Sequence, residues 1–328
     1  MKQFLKDWTL PVAIVLGSAL YLLFAYMPPL KPMAEVLGPV CETILPLSVF
    51  ATLFVTFSKV DFHLMRLRRW HGAIVLLQLL LVSLVACSIL VLERGGAGAS
   101  VKWMLEAVLV CIIAPCATAA PVVTAKLGGD VTEMTTFTLL SSLCGALLIP
   151  AVFPLLEPTT GATFLSAFLV ILRKMATILV LPLILGYAVR RWVGSVRRFI
   201  ASHSDLGFYS WAFSLSITAG VTLRNILQSE SGSQVLLCIA LLTLLTSVFQ
   251  YLIGLLIGSR HRVGVCAVQG MFQKNTALAI WVAWLYLCPL SSVGAGCYVL
   301  WQNMINSYEL WLDRRKTYNN IVNEAIKA

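Results

Sequence analysis

Charge is what this chain has least of. Its 328 residues include 24 Lys or Arg and 14 Asp or Glu, 12% in all, against 59% hydrophobic residues. Soluble domains carry about twice that share of charge to solvate their surfaces, so a water-soluble fold is excluded. Other absences narrow the chemistry. The nine cysteines form no C-x-x-C pair and fall mostly inside apolar segments, which fits neither a disulfide framework nor a zinc site. No H-E-x-x-H, no paired aspartates and no Ser/His pair occur. The four histidines (His63, His71, His203, His261) all lie in or beside expected loops. The chain is therefore not read as an enzyme, and no cofactor or metal is expected. No small-residue cleavage site follows the first apolar segment, which reads as a retained span rather than a signal peptide. After the last apolar segment come only about 15 residues, with no soluble signalling or catalytic unit.

What the chain does have is repeated apolar runs of about 20 residues, the length that crosses a bilayer. Ten spans are expected, at 9–27, 36–58, 71–92, 103–126, 132–156, 175–190, 206–227, 234–258, 263–286 and 289–312. This is an all-α polytopic membrane protein of the cell membrane, a single transmembrane domain. The stretch before the sixth span, at about 161–174, ends in Arg173 and Lys174, is too short to cross, and reads as an interfacial helix.

Basic loops set the orientation. Lys2, Lys6, Lys59, Arg66, Arg68, Arg69, Lys126, Arg190, Arg191, Arg197, Arg198, Arg260, Arg262, Arg314, Arg315, Lys316 and Lys327 fall on one side. The other side holds Lys31, Arg94, Lys102, Arg173, Lys174 and Arg224. Both termini are thus expected in the cytoplasm. The net charge of +10 is a consequence of orientation in lipid, so no nucleic acid is expected as a partner.

Two halves of five spans, 1–157 and 158–328, would lie in opposite orientations because five is odd, and the fourth span of each half is anomalous. Span 4 holds "APCATAAPVVTAKLGGD" (114–130), in which Pro115 and Pro121 each remove a backbone donor at a cost of roughly 3 kcal/mol. Span 9 holds "VQGMFQKNTALAIWVA", with Gly270, Gln273, Lys274 and Asn275 together at membrane depth. Secondary transporters built from inverted repeats place discontinuous helices in corresponding positions, where irregular backbone lines the site. The expectation is two inverted five-helix repeats with spans 4 and 9 broken, near Pro115–Pro121 and at Gly270, and crossing near the midplane.

Span 4 resembles the motif of the bile acid:sodium symporter family, P-G-G-x-x-S-N-x-x-T-x-x-A-x-G-D/N, with Pro115, Thr124, Gly129 and Asp130 in register. "ILPLSVFATLFVTFSKVDF" (44–62), "VLPLILGYAVRRW" (180–192) and "QKNTALAIWVA" are similar to its second, sixth and ninth spans. The resemblance implies a panel domain and a core domain, with substrate moving between them by alternating access. It also implies ligand roles for Gln78 in span 3 and Thr138 in span 5. Where that family has a sodium-binding Ser-Asn pair, this chain has Ala120-Pro121, and the acidic residue of span 9 is missing. Sodium is a hard cation that seeks several oxygens, so these departures argue against sodium coupling.

Lys274 is the one Lys or Arg near the membrane centre. Burying it costs at least about 2.5–3.5 kcal/mol, so it reads as functional. It either stands in for the lost sodium or contacts an anionic solute, and a buried lysine can lose its charge, which gives proton coupling as a further route. The structural alternative is a pair with a backbone carbonyl at the crossover. Gln273 and Asn275 flank it, and Thr118 and Thr124 add hydroxyls to span 4. Gln250 reads as a helix–helix bond. Glu42 and Glu106 read as solvated or snorkelled carboxylates near outer membrane ends, with a role in proton coupling as the alternative. The function this assembles is a secondary transporter of a small organic anion. Two alternatives stand beside it. Cys116, one residue after the proline, also resembles the metalloid-binding thiol of the distantly related arsenite exporter family, although N-N-x-E-L-A is absent from span 9. A membrane sensor that binds without transporting is the other.

Overall fold

The computed structural model of the chain describes residues 2–59, 61–158, 163–203, 206–228 and 232–327. Apart from one isolated bridge, the regular elements among them are helical: α1 (Lys2–Tyr26), α2 (Lys31–Lys59), α3 (Arg69–Arg94), α4 (Ala99–Ile113), α5 (Ala120–Lys126), α6 (Val131–Leu156), α7 (Phe164–Met175), α8 (Leu181–Trp192), α9 (Gly194–Ser202), α10 (Leu206–Leu227), α11 (Ser233–His261), α12 (Gly264–Phe272), α13 (Thr276–Tyr286) and α14 (Pro289–Lys327). Among the described residues five stretches are long and apolar enough to cross a membrane: Pro39–Lys59, Arg69–Arg94, Val131–Leu156, Phe164–Trp192 and Ser233–His261. A helix suits that medium because it satisfies its own backbone where no water can. The chain is a polytopic helical membrane protein.

The distribution of side chains is that of a protein solvated by lipid. Leu76, Leu80 and Leu84 recur four apart on α3 and are exposed, as are Leu237, Leu241 and Leu245 on α11. That spacing is one helix face. The opposite faces carry buried polar groups, Gln78 on α3 and Thr243, Ser247 and Gln250 on α11.

The helices form two groups. α1, α2, α8, α9 and α10 pack against one another, and α3 to α6 pack with α11 to α14. The groups meet where α2 touches α13, α10 touches α13 and α14, and α6 touches α7. α1 and α10 lie so close that a Cβ on Gly17 would sit 1.9 Å from the Ser216 carbonyl oxygen.

Local chemistry explains where the helices stop. Ala114, extended at φ −54° and ψ 135°, precedes Pro115, and the proline ring disfavours helical backbone in the residue before it. α4 ends there. Pro121, expected as a second breaker, instead lies in the first turn of α5, where its missing N–H would have had no helical partner. Asp130 begins α6 by accepting from the Glu133 N–H at 2.9 Å. In span 9 the break is Gln273–Asn275. Gly270 lies inside α12 rather than opening the break. Its small size serves packing, since a Cβ there would stand 3.0 Å from the Phe137 ring and 3.2 Å from the Trp70 ring. Asn275 starts α13 by accepting from the Leu278 N–H at 3.2 Å.

The helix end expected after Lys174 does not form. α7 continues through a π-helical turn, Ala176–Val180, into α8. Pro182 follows, and its ring would crowd the carbonyl of Ile178 in a regular α-helix; the wider turn makes room. The start of the expected interfacial segment, 161–162, lies outside the described residues. So do the side chains of Lys2, Lys6, Lys31, Glu42 and every residue after Asp313.

Candidate functional site

The two breaks meet. Cys116 and Lys274 face each other across a single antiparallel rung. The Ala117 N–H donates to the Gln273 carbonyl at 2.9 Å, and the Asn275 N–H donates to the Pro115 carbonyl at 2.8 Å. Each break thereby satisfies backbone groups that the other has freed, as a low-dielectric interior demands.

Side chains from neighbouring helices complete the accounting. Gln302 of α14 accepts from the Lys274 N–H at 3.0 Å and donates to the Lys274 carbonyl at 3.3 Å. The Tyr298 hydroxyl donates to the Phe272 carbonyl at 2.7 Å. Ser141 of α6 accepts from the Cys116 N–H at 2.8 Å. The last carbonyls of α4 are capped by Gln78, whose Nε2 donates chiefly to Ile112 at 2.9 Å and lies 3.3 and 3.4 Å from those of Ile113 and Ala114.

Lys274 points at the same place. Its side chain is buried, 2% exposed, and Nζ donates to the Ile112 carbonyl at 3.4 Å. The C-terminal end of a helix carries partial negative charge, so an ammonium is favoured there. The ion pairs among the described residues are Arg68–Glu133, Lys102–Glu93, Lys102–Glu157 and Arg190–Asp61, so no carboxylate neutralises Lys274. The ionisable groups that act on it are the thiols of Cys111 and Cys116.

Gln273 beside it is fully buried, and both its amide oxygen and its amide nitrogen lack partners. Asn275 serves as the cap described above. Thr118 is buried within the break, and Thr124 is buried with its hydroxyl unpartnered. Thr138 donates to the Met134 carbonyl at 2.9 Å and lies 3.7 Å from the Cys116 sulfur. The crossing therefore gathers Lys274, Gln273, Asn275, Gln78, Thr138 and Pro115. Thr124 sits farther along α5, against Gly129.

The residues expected to hold sodium are replaced or engaged elsewhere. Ala120 and Pro121 offer no side-chain oxygen. Gln78 spends its donor on α4. Cys116 is 1% exposed, with its sulfur 3.8 Å from the Ala117 carbonyl and 3.9 Å from that of Gln269. Gln250 donates to the Tyr298 hydroxyl at 3.1 Å and lies 3.5 Å from the Cys111 carbonyl, a helix–helix bond as expected.

The α14 face went unread in the sequence. Tyr298, Gln302, Asn306 and Glu309 recur at spacings of four, four and three, one helix face. Gln269 of α12 donates to Asn306 at 3.0 Å and to Glu309 at 3.1 Å, and Tyr251 donates to Glu309 at 2.6 Å. That polar stripe within an apolar span was the available signal.

Comparison with curated proteins finds no match. The family model of the SBF-like CPA transporters matches residues 55–303, well over half of the chain and inclusive of both breaks. The broken helices, their mutual rung and this match agree, and the protein belongs to the SBF-like CPA transporter family, a bile acid:sodium symporter-like family of secondary transporters.

Proposed function

We propose that the protein moves a small organic anion across the cell membrane by alternating access, with the Lys274 ammonium in the place of a coupling sodium. The observation that carries this reading is the Lys274 side chain, buried at the crossing, bound to the broken end of α4 and paired with no carboxylate. At about 4 Å and an effective dielectric of about 20, such a cation attracts an anion by roughly 4 kcal/mol. Being tethered, it cannot be released and supplies no sodium gradient coupling. Gln273, with a spare buried donor and acceptor, is the adjoining contact.

In this reading the α1/α2/α8/α9/α10 group is the panel, and α3 to α6 with α11 to α14 are the core. The ten expected intervals, nine of which follow a helix or a pair of helices while the sixth is the second part of the continuous α7–α8 stretch, all cross the membrane as two inverted repeats, with both termini cytoplasmic. The same side chain allows proton coupling.

The test is a solute screen by thermal shift in detergent, then uptake into proteoliposomes with sodium or potassium as the only alkali cation. Uptake is expected to be equal in the two, and to weaken in Lys274→Ala. A steep sodium dependence would refute the tethered-cation reading; binding without uptake would make the protein a sensor.

A further inference from the structure

Glu106 was expected to be a solvated carboxylate near a membrane end. It is instead fully buried on α4, seven residues before the broken end, about 10 Å away at the helical rise. Its Oε2 accepts from the Ser291 hydroxyl at 2.5 Å, and its Oε1 is buried without a donor. One turn earlier on α4 stands Lys102, but that ammonium is already committed. It pairs with Glu93 at 3.0 Å and Glu157 at 2.9 Å and donates to the Leu156 carbonyl at 3.2 Å, which uses its three hydrogens. Burial works against its charge, but hydrogen bonds and attraction from Glu157 and Glu93 outweigh burial and raise its pKa above the ordinary lysine value. It therefore remains a cation.

The groups that act on Glu106 are the Ser291 hydroxyl, the Glu157 carboxylate and the Lys102 charge, and Cys288 ahead of α14 feels both Glu106 and Glu157. Glu93 of α3 pairs with Lys102, and the basic groups of α11, Arg260 and His261, lie in its last turn. Glu157 also lines a cavity of about 320 Å³ with Glu93, Lys102, Trp103 and Leu105, so the cavity reaches the turn of α4 that carries Glu106.

We propose that Glu106 is a proton-binding site: a hydronium ion in that cavity gives up a proton and is left as water, and the proton passes by Glu157 to the unpartnered Oε1, forming its O–H bond, and returns to water by the same path. Two carboxylates side by side with one committed cation are unfavourable as two anions and favourable when they share a proton. The protonated Oε1 becomes a donor, and the neighbouring Glu157 carboxylate is its acceptor. The site reports to the boundary between the two helix groups. Ser291 holds Glu106, while Ser292, the next residue, accepts from Asn225 of α10 at 2.9 Å. One turn on, a Cβ on Gly296 would sit 2.1 Å from Thr222, also of α10. A change of charge at Glu106 is thus transmitted to the α10–α14 contact.

Infrared difference spectra of the solubilised full chain between acid and alkaline buffer test the site with the proton itself as the probe. The carbonyl stretch of a buried carboxylic acid is expected at neutral pH in the wild type. It should vanish in Glu106→Gln and shift in Ser291→Ala, which keeps the proposal testable if the first variant does not fold. Absence of the band, its persistence in Glu106→Gln, or its loss on adding sodium or potassium at constant pH would overturn the proton assignment. Amide exchange across 289–296, corrected for intrinsic rates, should quicken as Glu106 ionises in the wild type and lose that response in Glu106→Gln; an unchanged response would remove the link to α10. Neither readout requires transport, so failure of the transport reading would be seen separately.

Discussion

Replacing Lys274 by Met separates a functional ammonium from a structural one, because the two roles give opposite signs for stability. Met keeps most of the side-chain volume and removes the charge. Burying a lysine at membrane depth costs at least about 2.5–3.5 kcal/mol. The compensation visible here is one long hydrogen bond, Nζ to the Ile112 carbonyl at 3.4 Å, and the partial negative charge of the α4 terminus, together about 1–2 kcal/mol. Ile112 would still be capped by Gln78 at 2.9 Å after the substitution. Lys274→Met should therefore stabilise the protein by about 1–2 kcal/mol, in keeping with apolar replacement of buried charges elsewhere. Its melting temperature, followed in detergent by intrinsic fluorescence, should rise by a few degrees. Binding of the transported anion should fall by up to about a thousandfold if the full attraction near 4 kcal/mol is lost. A variant that melts lower, with anion binding intact, would show that Lys274 holds the crossing together and would refute the reasoning.

Other substitutions read single contacts. Gln302→Ala leaves the buried Lys274 N–H without an acceptor and should cost about 1–3 kcal/mol, measured as a lowered denaturation midpoint. Gly270→Ala places a methyl 3.0 Å from the Phe137 ring; the overpacking should cost about 1–3 kcal/mol, and a melting temperature equal to wild type would show that Trp70 and Phe137 yield. Cys116→Ala should leave uptake of the transported solute intact, and cells producing the wild-type protein should gain no arsenite resistance. Resistance that disappears specifically in the variant would reinstate the metalloid reading.

The lipid-solvated character of the chain, the positions of its helices and the existence of two breaks were legible because their causes are local. Apolar length, a proline's missing donor and an asparagine that can cap a helix act within a few residues of where they stand. Tertiary structure decided what those local features are for. Pro121 reads locally as a second breaker, yet it starts α5, because the chain had already turned at Ala114 and Pro115. Gly270 reads as a flexible point, but two rings brought from α3 and α6 make it a packing requirement. The rung between Cys116 and Lys274 joins residues far apart in the chain, and no local rule pairs them. Gln302 and Tyr298 become ligands of that rung only when α14 lies against it. Glu106 shows the same limit in electrostatics. Near a helix end it reads as solvated, and burial beside Ser291 and Glu157 follows from how α14 and the end of α6 close over α4. Backbone conformation is set by neighbours in sequence, whereas desolvation and the pairing of buried polar groups are set by neighbours in space.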